Sequence, residues 1–210
     1  IGFSTSVIEN AIGWVIATNP GNILFLVGHD KLIKDSMDKI DKMLDGTGIR
    51  HLIRSATQRT RNNKSGDTDH RKDFAGGYLS LGIAHHKTLR NISMQYGFID
   101  DYEAMKPATK EAGSMESLIM QRFAAFKNKM KVFLISTPEL KATSNIEPAY
   151  LRGDQRKYHV PCPCCSEMIV LEWEIKSEVV GKNMAGMTWK LDESGELIPE
   201  SVGYICPKCD

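Results

Sequence analysis

Two cysteine pairs carry the most specific chemistry in this sequence. Cys162-Pro163-Cys164-Cys165 and Cys206-Pro207-Lys208-Cys209 each hold a C-x-x-C spacing, through Cys162 with Cys165 and through Cys206 with Cys209. Thiolates at that spacing suit two edges of a tetrahedral Zn²⁺ site, so a structural zinc on these four residues is expected. Cys164 is then a spare thiol, able to replace a neighbour as ligand. Residues 166–205 exceed the usual ribbon spacing and are expected to form an inserted hairpin or loop. All five cysteines lie after residue 161, and an odd set of close pairs makes a poor disulfide framework. A bound metal in a reducing compartment is the better reading.

The second chemical group is acidic. Asp100-Asp101 follows the apolar run Ile92 to Ile99, and ligands bind at the carboxyl ends of strands in open α/β sheets. An acidic pair there is where a P-loop NTPase holds magnesium and prepares its water. A strand-to-helix turn with a capping aspartate is the alternative. Gly2-Phe3-Ser4-Thr5, ahead of an amphipathic pattern, resembles the tail of a phosphate-binding loop, whose glycine backbone and hydroxyl contact phosphate and Mg²⁺ at a helix N-terminus. Phe3 stands where such loops carry lysine, and an ordinary N-cap by Ser4 or Thr5 is the alternative. Ser136-Thr137-Pro138 ends the next apolar run, as a strand-terminating turn does.

These groups need elements to position them. Val7, Ile8, Ala11, Ile12, Val15 and Ile16 recur at helical spacing, and that helix should stop near Asn19-Pro20-Gly21. Ile23 to Val27 is a short apolar run suited to a strand buried on both faces. A second amphipathic helix is predicted from about Asp30 to Leu44, with Gly46 and Gly48 closing it. The polar stretch from Arg50 to Asp73 reads as a long surface loop with little core. Its basic group, Arg50, Arg54, Arg59, Arg61, Lys64, Arg71 and Lys72, is punctuated by Asp67, Asp69 and Asp73; contact with DNA phosphate or a neighbouring subunit and plain solvation are both open.

Strand patterns resume at Tyr78 to Ile83, Ile92 to Ile99 and Lys131 to Ile135, with a helix from about Ser114 to Lys129 between the last two. Short apolar strands alternating with amphipathic helices predict an α/β fold over residues 1–150, a mostly parallel sheet with helices on both faces. From Tyr158 onward the texture changes to cysteine knuckles and short alternating strands such as Met168 to Trp173, which predicts a small β module over residues 151–210.

Composition bounds the rest. The chain has 210 residues, 41% hydrophobic and 25% charged, enough for one substantial core with a small appendage. No apolar run approaches the roughly 20 residues needed to span a bilayer, and no secretory leader pattern opens the chain. A net charge of +1 gives no bulk electrostatic case for a polyanionic partner, so any nucleic-acid contact must come from a local patch. Ile1 is not an initiator methionine, and the chain is expected to be a fragment.

Taken in order, Gly2-Phe3-Ser4, Phe74-Ala75-Gly76-Gly77-Tyr78-Leu79, Leu89-Arg90, Asp100-Asp101, Ser136-Thr137-Pro138, Gly153-Asp154-Gln155-Arg156 and Val160 to Cys165 resemble the large terminase subunit of lambda-like tailed phages. The resemblance spans nearly the whole chain, and Gly153 to Cys165 is its most family-specific part. It implies an ATP-driven motor that pumps double-stranded DNA into a procapsid in the host cytoplasm. The implied partners are the small terminase subunit, the portal and other copies of the chain in a ring. It implies a nuclease beyond Asp210 and most of the phosphate loop before Ile1.

Carried over by position, the resemblance makes Gly2, Ser4 and Thr5 nucleotide-binding, with Ser4 and Asp100 as ligands of Mg²⁺. Asp101 takes the place of the catalytic glutamate, with Glu103 as its rival. Arg90 becomes a candidate arginine finger, and Ser136, Thr137 and Pro138 a segment coupling hydrolysis to DNA movement. A helicase or other P-loop motor is the nearest rival reading. A non-enzymatic zinc-ribbon adaptor is the rival from another class.

Overall fold

The computed structural model describes residues 4–55, 67–68, 70–85, 89, 91–105, 114–139, 144–176, 179 and 184–209. The chain divides into two compact units, Ile1–Arg152 and Gly153–Asp210.

The first unit opens with a π-helical segment, Ser4–Glu9, that runs into helix α1, Asn10–Thr18. The Asn19 amide reaches back to the Val15 carbonyl at 3.2 Å, and Pro20, which offers no amide to the ladder, follows the end of the helix. Strand β1, Ile23–Val27, leads to α2, Lys31–Gly46, whose buried Met37, Ile40 and Leu44 recur at helical spacing. After a 3₁₀ turn at Arg50–Leu52 come β2, Arg71–Phe74, and β3, Gly77–Ile83. Strand β4, Tyr96–Asp100, helix α3, Met115–Gln121, strand β5, Lys131–Ile135, and helix α4, Ile146–Arg152, complete the unit.

The five strands order as β2-β3-β1-β4-β5. β1 runs parallel to β3 and β4, and β4 parallel to β5; only β2 is antiparallel to its neighbour. The expected mostly parallel α/β sheet is therefore present.

Strand β1 explains the layering. All five of its side chains are at most 3% exposed, and alternation sends them to opposite faces. Ile23, Phe25 and Val27 pack with Ile8, Ile12, Val15, Ile16, Ile40 and Leu44 of the π-helical segment, α1 and α2. Leu24 and Leu26 pack with Ile119 and Phe123 and with Leu89, Met94 and Ile99 on the other face. At about 1.5–3 kcal/mol per fully buried aliphatic or aromatic side chain, the two clusters supply most of the drive to close the sheet.

The segment between α2 and β3 differs from the expected core-poor loop. Lys72 is 1% exposed. Its ammonium meets Asp41 of α2 at 2.8 Å and also Asp67. Arg50 adds ion pairs to Asp41, to Asp45 at 2.8 Å and to Asp67 at 3.3 Å. Arg71 pairs with Asp73 at 2.9 Å and lies 3.7 Å from the centre of the Tyr78 ring. Three of the basic residues thus fasten β2 to the body of the unit. Arg59, Arg61, Lys64 and Asp69 lie outside the described residues.

Three other elements are shorter than their patterns suggest. The predicted helix of 114–129 ends as α3 at Gln121 and gives way to a 3₁₀ turn at Ala124–Phe126. The strand predicted from Ile92 begins at Tyr96. In the second unit the alternation of Met168 to Trp173 yields strand only at Met168–Ile169.

That second unit holds a two-stranded hairpin, β6 (Val160–Pro161) with β7 (Met168–Ile169). It also holds a three-stranded antiparallel sheet of β8 (Glu174–Lys176), β9 (Met184–Thr188) and β10 (Gly203–Ile205) in the order β10-β9-β8. Its buried cluster is small: Cys162, Ile169 and Cys206, with Val160, Tyr204 and two further cysteines packed against them.

Replacing Lys72 by methionine should keep volume but leave Asp41 and Asp67 with Arg50 as their remaining shared cation. Breaking a buried ion pair costs roughly 3–5 kcal/mol. The lower end is expected because the two carboxylates keep 32% and 33% exposure. Urea denaturation measures it, and a loss within the about 0–1 kcal/mol of a surface pair would show that Lys72 does not clamp β2.

Candidate functional site

The carboxyl ends of β4 and β5 lie side by side, with Asp100 in register with Ile135. Asp100 is partly buried at the last position of β4. Asp101 follows in the left-handed region, φ 57° and ψ 46°, which aspartate tolerates better than most residues because its short side chain bonds locally. A 3₁₀ turn at Tyr102–Ala104 comes next.

Gly28, directly after β1, makes room for this turn. A β-carbon at position 28 would come within 2.4 Å of the Asp101 Oδ2 and 3.0 Å of the Ala104 Cβ. The sequence -Val27-Gly28- and the left-handed Asp101 are thus two halves of one arrangement.

Asp100 and Asp101 open onto a cleft of about 330 Å³. Its other charged walls are Glu9 of the π-helical segment and Asp35, Asp38, Lys39 and Lys42 of α2. Glu9 drew no attention in the sequence. The signal was present, since position 9 precedes buried Ile12 and Gly13 by three and four residues and so falls on the inward stripe of the helix.

The Ser136 hydroxyl accepts the Glu103 amide at 2.9 Å, joining the end of β5 to the turn beyond Asp101. Thr137 and Pro138 are exposed. Glu103 itself is engaged elsewhere. Its carboxylate accepts the Asn145 and Ile146 amides and the Ser144 hydroxyl, each at 3.0 Å, where α4 begins. Partial burial alone would raise its pKa, but donation from the amides of Ile146 and Asn145, from Ser144 and from the Glu139 amide outweighs it and holds the group below the usual carboxylate range. Ser4 and Thr5 lie in the first turn of the π-helical segment. Gly2 and Arg90 lie outside the described residues.

In the second unit the four cysteine thiols Cys162, Cys165, Cys206 and Cys209 lie within 4.8 Å of one another. The Cys162 and Cys209 sulfurs are 3.8 Å apart, too far for a disulfide. Tetrahedral zinc at about 2.3 Å from each sulfur separates them by about 3.8 Å, so the spacing fits the ion. The β6–β7 hairpin presents the first pair and the turn after β10 the second. The amides of Cys165 and Cys164 donate to the Cys162 sulfur and bring its pKa down to about 6. Cys209 is pushed up, first by its contact with the Cys165 thiol and then by burial: neighbouring thiolates repel unless a cation joins them. Cys164 is exposed and outside the group.

The whole chain, residues 1–210, matches the family model of the phage terminase large subunit gpA, ATPase domain. The chain belongs to this family. Membership ties it to phage DNA packaging and to ATP hydrolysis. Among solved structures it is similar to the large terminase ATPase domain of Thermus phage P74-26, at 10% identity and a TM-score of 0.48, covering 80% of this chain and 67% of that one. An arginine-to-alanine mutant of the same domain gives 10% identity, a TM-score of 0.49, and 80% and 68% coverage. No curated protein matches by sequence. Among the described residues of this terminase ATPase domain, no helix is long and apolar enough to cross a membrane.

The Glu103 cap has a pH signature. A carboxyl whose pKa is lowered by folding stabilises the fold fully above its unfolded value of about 4.3. That stabilisation is lost as pH falls through the lower folded value. Thermal melts of Glu103→Gln should show a lower melting temperature than wild type at neutral pH, with the two curves converging below pH about 4. A pH-independent gap between them would rule out the ionised cap.

Proposed function

We propose that this chain is the nucleotide-hydrolysing part of a motor that drives double-stranded viral DNA into a procapsid, with Asp100 and Asp101 at its centre. The observation that carries the reading is the left-handed Asp101 held over Gly28 at the mouth of an acidic cleft. Such backbone costs of order 1 kcal/mol. A turn that keeps it, and that leaves β1 no side chain in its way, supports a carboxylate whose position matters.

In this reading Asp100 holds Mg²⁺, with the Ser4 hydroxyl as a second ligand carried over from the family. The ion would neutralise charge on the transferring phosphoryl group. Asp101 accepts a hydrogen bond from the attacking water and orients it. It is favoured over Glu103, whose oxygens already hold the start of α4. Gly2 and Thr5 contribute phosphate contacts, and Arg90 is the candidate finger on a neighbour's nucleotide.

Ser136-Thr137-Pro138 serves as the coupling segment. The bond from the Glu103 amide to Ser136 supports this role, because a shift at the end of β5 is felt two residues beyond Asp101. The partners in this reading are double-stranded DNA, the small terminase subunit, the portal of the procapsid and sister copies in a ring, in the host cytoplasm. Zn²⁺ on Cys162, Cys165, Cys206 and Cys209 holds the second unit as a zinc-ribbon-like module. Four thiolates leave no open position, so the ion's part is structural.

In the complete protein, Asp100→Asn should lose most magnesium-dependent ATP hydrolysis while staying folded. Gly28→Ala should lower turnover about a hundredfold with nucleotide affinity retained, since a reacting group displaced by about an ångström costs that much. Near-normal steady-state turnover in a folded Gly28→Ala protein would remove Asp101 from the chemistry.

Elemental analysis should find one zinc per chain, because the four thiols form one group. Chelation should then raise hydrogen exchange over residues 153–210 and leave the sheet of the first unit protected. Equal protection of the second unit with and without metal would contradict the zinc assignment.

A further inference from the structure

The cleft beside Asp100 and Asp101 contains a group that the hydrolytic reading does not use. Glu9 is 8% exposed, and its side chain lines the cleft. Among the described residues it has neither a hydrogen-bond nor an ion-pair partner. Burying an ionised carboxylate is unfavourable unless a cation or donors meet it. Here the group faces two more carboxylates at the end of β4.

The backbone reinforces the placement. Residues 4–9 form a π-helical segment, a rare form concentrated at functional sites. At about 4.4 residues per turn, a π-helix leaves positions 4 and 9 only about 50° apart around the axis. In an α-helix of 3.6 residues per turn, five residues would leave the two positions about 140° apart. The extra residue in the turn therefore rotates Glu9 toward the face of the helix that begins at Ser4.

We propose that Glu9 is a third carboxylate of the divalent-cation site, a positioning residue that holds the ion's water shell while Asp100 holds the ion. The inference rests on the assignment of Asp100 above and adds the element that closes the site from the α1 side. A role as a direct ligand does not fit the geometry. Among the described residues only the four cysteines place three or more ligand atoms within 4.8 Å of one another, so the three carboxylates do not form a direct ligand cage. Magnesium dehydrates reluctantly and is commonly held by one or two carboxylates with several waters retained. The charges facing Glu9 across the cleft are Asp35, Asp38, Lys39 and Lys42 of α2; none pairs with it.

The test compares wild type, Glu9→Gln and Asp100→Asn in the full-length chain, with Mn²⁺ as the probe. Free Mn²⁺ is read by electron paramagnetic resonance in the presence of a non-hydrolysable ATP analogue, and the magnesium dependence of turnover is measured in parallel. Glu9→Gln should weaken Mn²⁺ binding about tenfold, as loss of an outer partner of a metal site does. It should also raise the magnesium needed for half-maximal turnover by a similar factor, and excess magnesium should recover part of the loss. Glu9→Asp keeps the charge but withdraws it by one methylene, and should fall between the two; it carries the test if the glutamine variant folds poorly.

Wild-type Mn²⁺ affinity in folded Glu9→Gln, with binding lost in Asp100→Asn, overturns the proposal and leaves Glu9 as a buried structural acid. Unchanged binding and turnover in Asp100→Asn overturn the site as a whole, and the role of Glu9 with it.

Discussion

Everything in the first unit depends on β1 being buried on both faces and paired on both edges. A five-residue apolar strand with β3 on one side and β4 on the other must be covered above and below. That demand recruits the π-helical segment, α1 and α2 to one face and α3 to the other. The same strand fixes where chemistry can occur. Its end at Gly28 and the end of β4 at Asp100 lie on neighbouring parallel strands, so the polar turns that follow them emerge together at one rim of the sheet. The absence of a side chain on Gly28 lets those turns interlock.

The acidic residues of the first unit divide by what surrounds them. Glu103 meets three amides and a hydroxyl and holds the start of α4. Asp41 and Asp67 meet Lys72 and Arg50 and hold β2. Asp100, Asp101 and Glu9 line an open cleft. The second unit follows the same logic with sulfur: its apolar cluster is small, and four close thiols occupy the place a larger core would fill.

Much of this was legible in the sequence wherever short-range pattern decides structure. The run Ile23 to Val27 reads as a doubly buried strand because nothing polar interrupts it. Asp100-Asp101 reads as a strand end because the apolar pattern stops there, and the cysteines announce their grouping by spacing alone. What the sequence concealed depends on partners distant in the chain. Lys72 looks like part of a solvated basic loop until Asp41, on another element, is brought against it. Glu103 looks like a free acid two residues past the pair until Ser144 to Ile146 fold over it. Glu9 was hidden differently: its inward phase was readable, but a lone glutamate in an amphipathic helix carries no chemistry until the opposing wall of the cleft is known.

If the ends of β4 and β5 form the nucleotide-hydrolysing centre, the magnesium ion and the terminal phosphate of ATP meet beside Asp100 and Asp101. The most direct measurement is a structure of the full-length protein with Mg²⁺ and an ADP–trifluoroberyllate complex mimicking bound ATP. The ion should lie within about 2.1 Å of an Asp100 oxygen, with the trifluoroberyllate group facing Asp101 across a single water. A magnesium–nucleotide complex bound away from Asp100, with Asp101 facing bulk solvent, would contradict that placement.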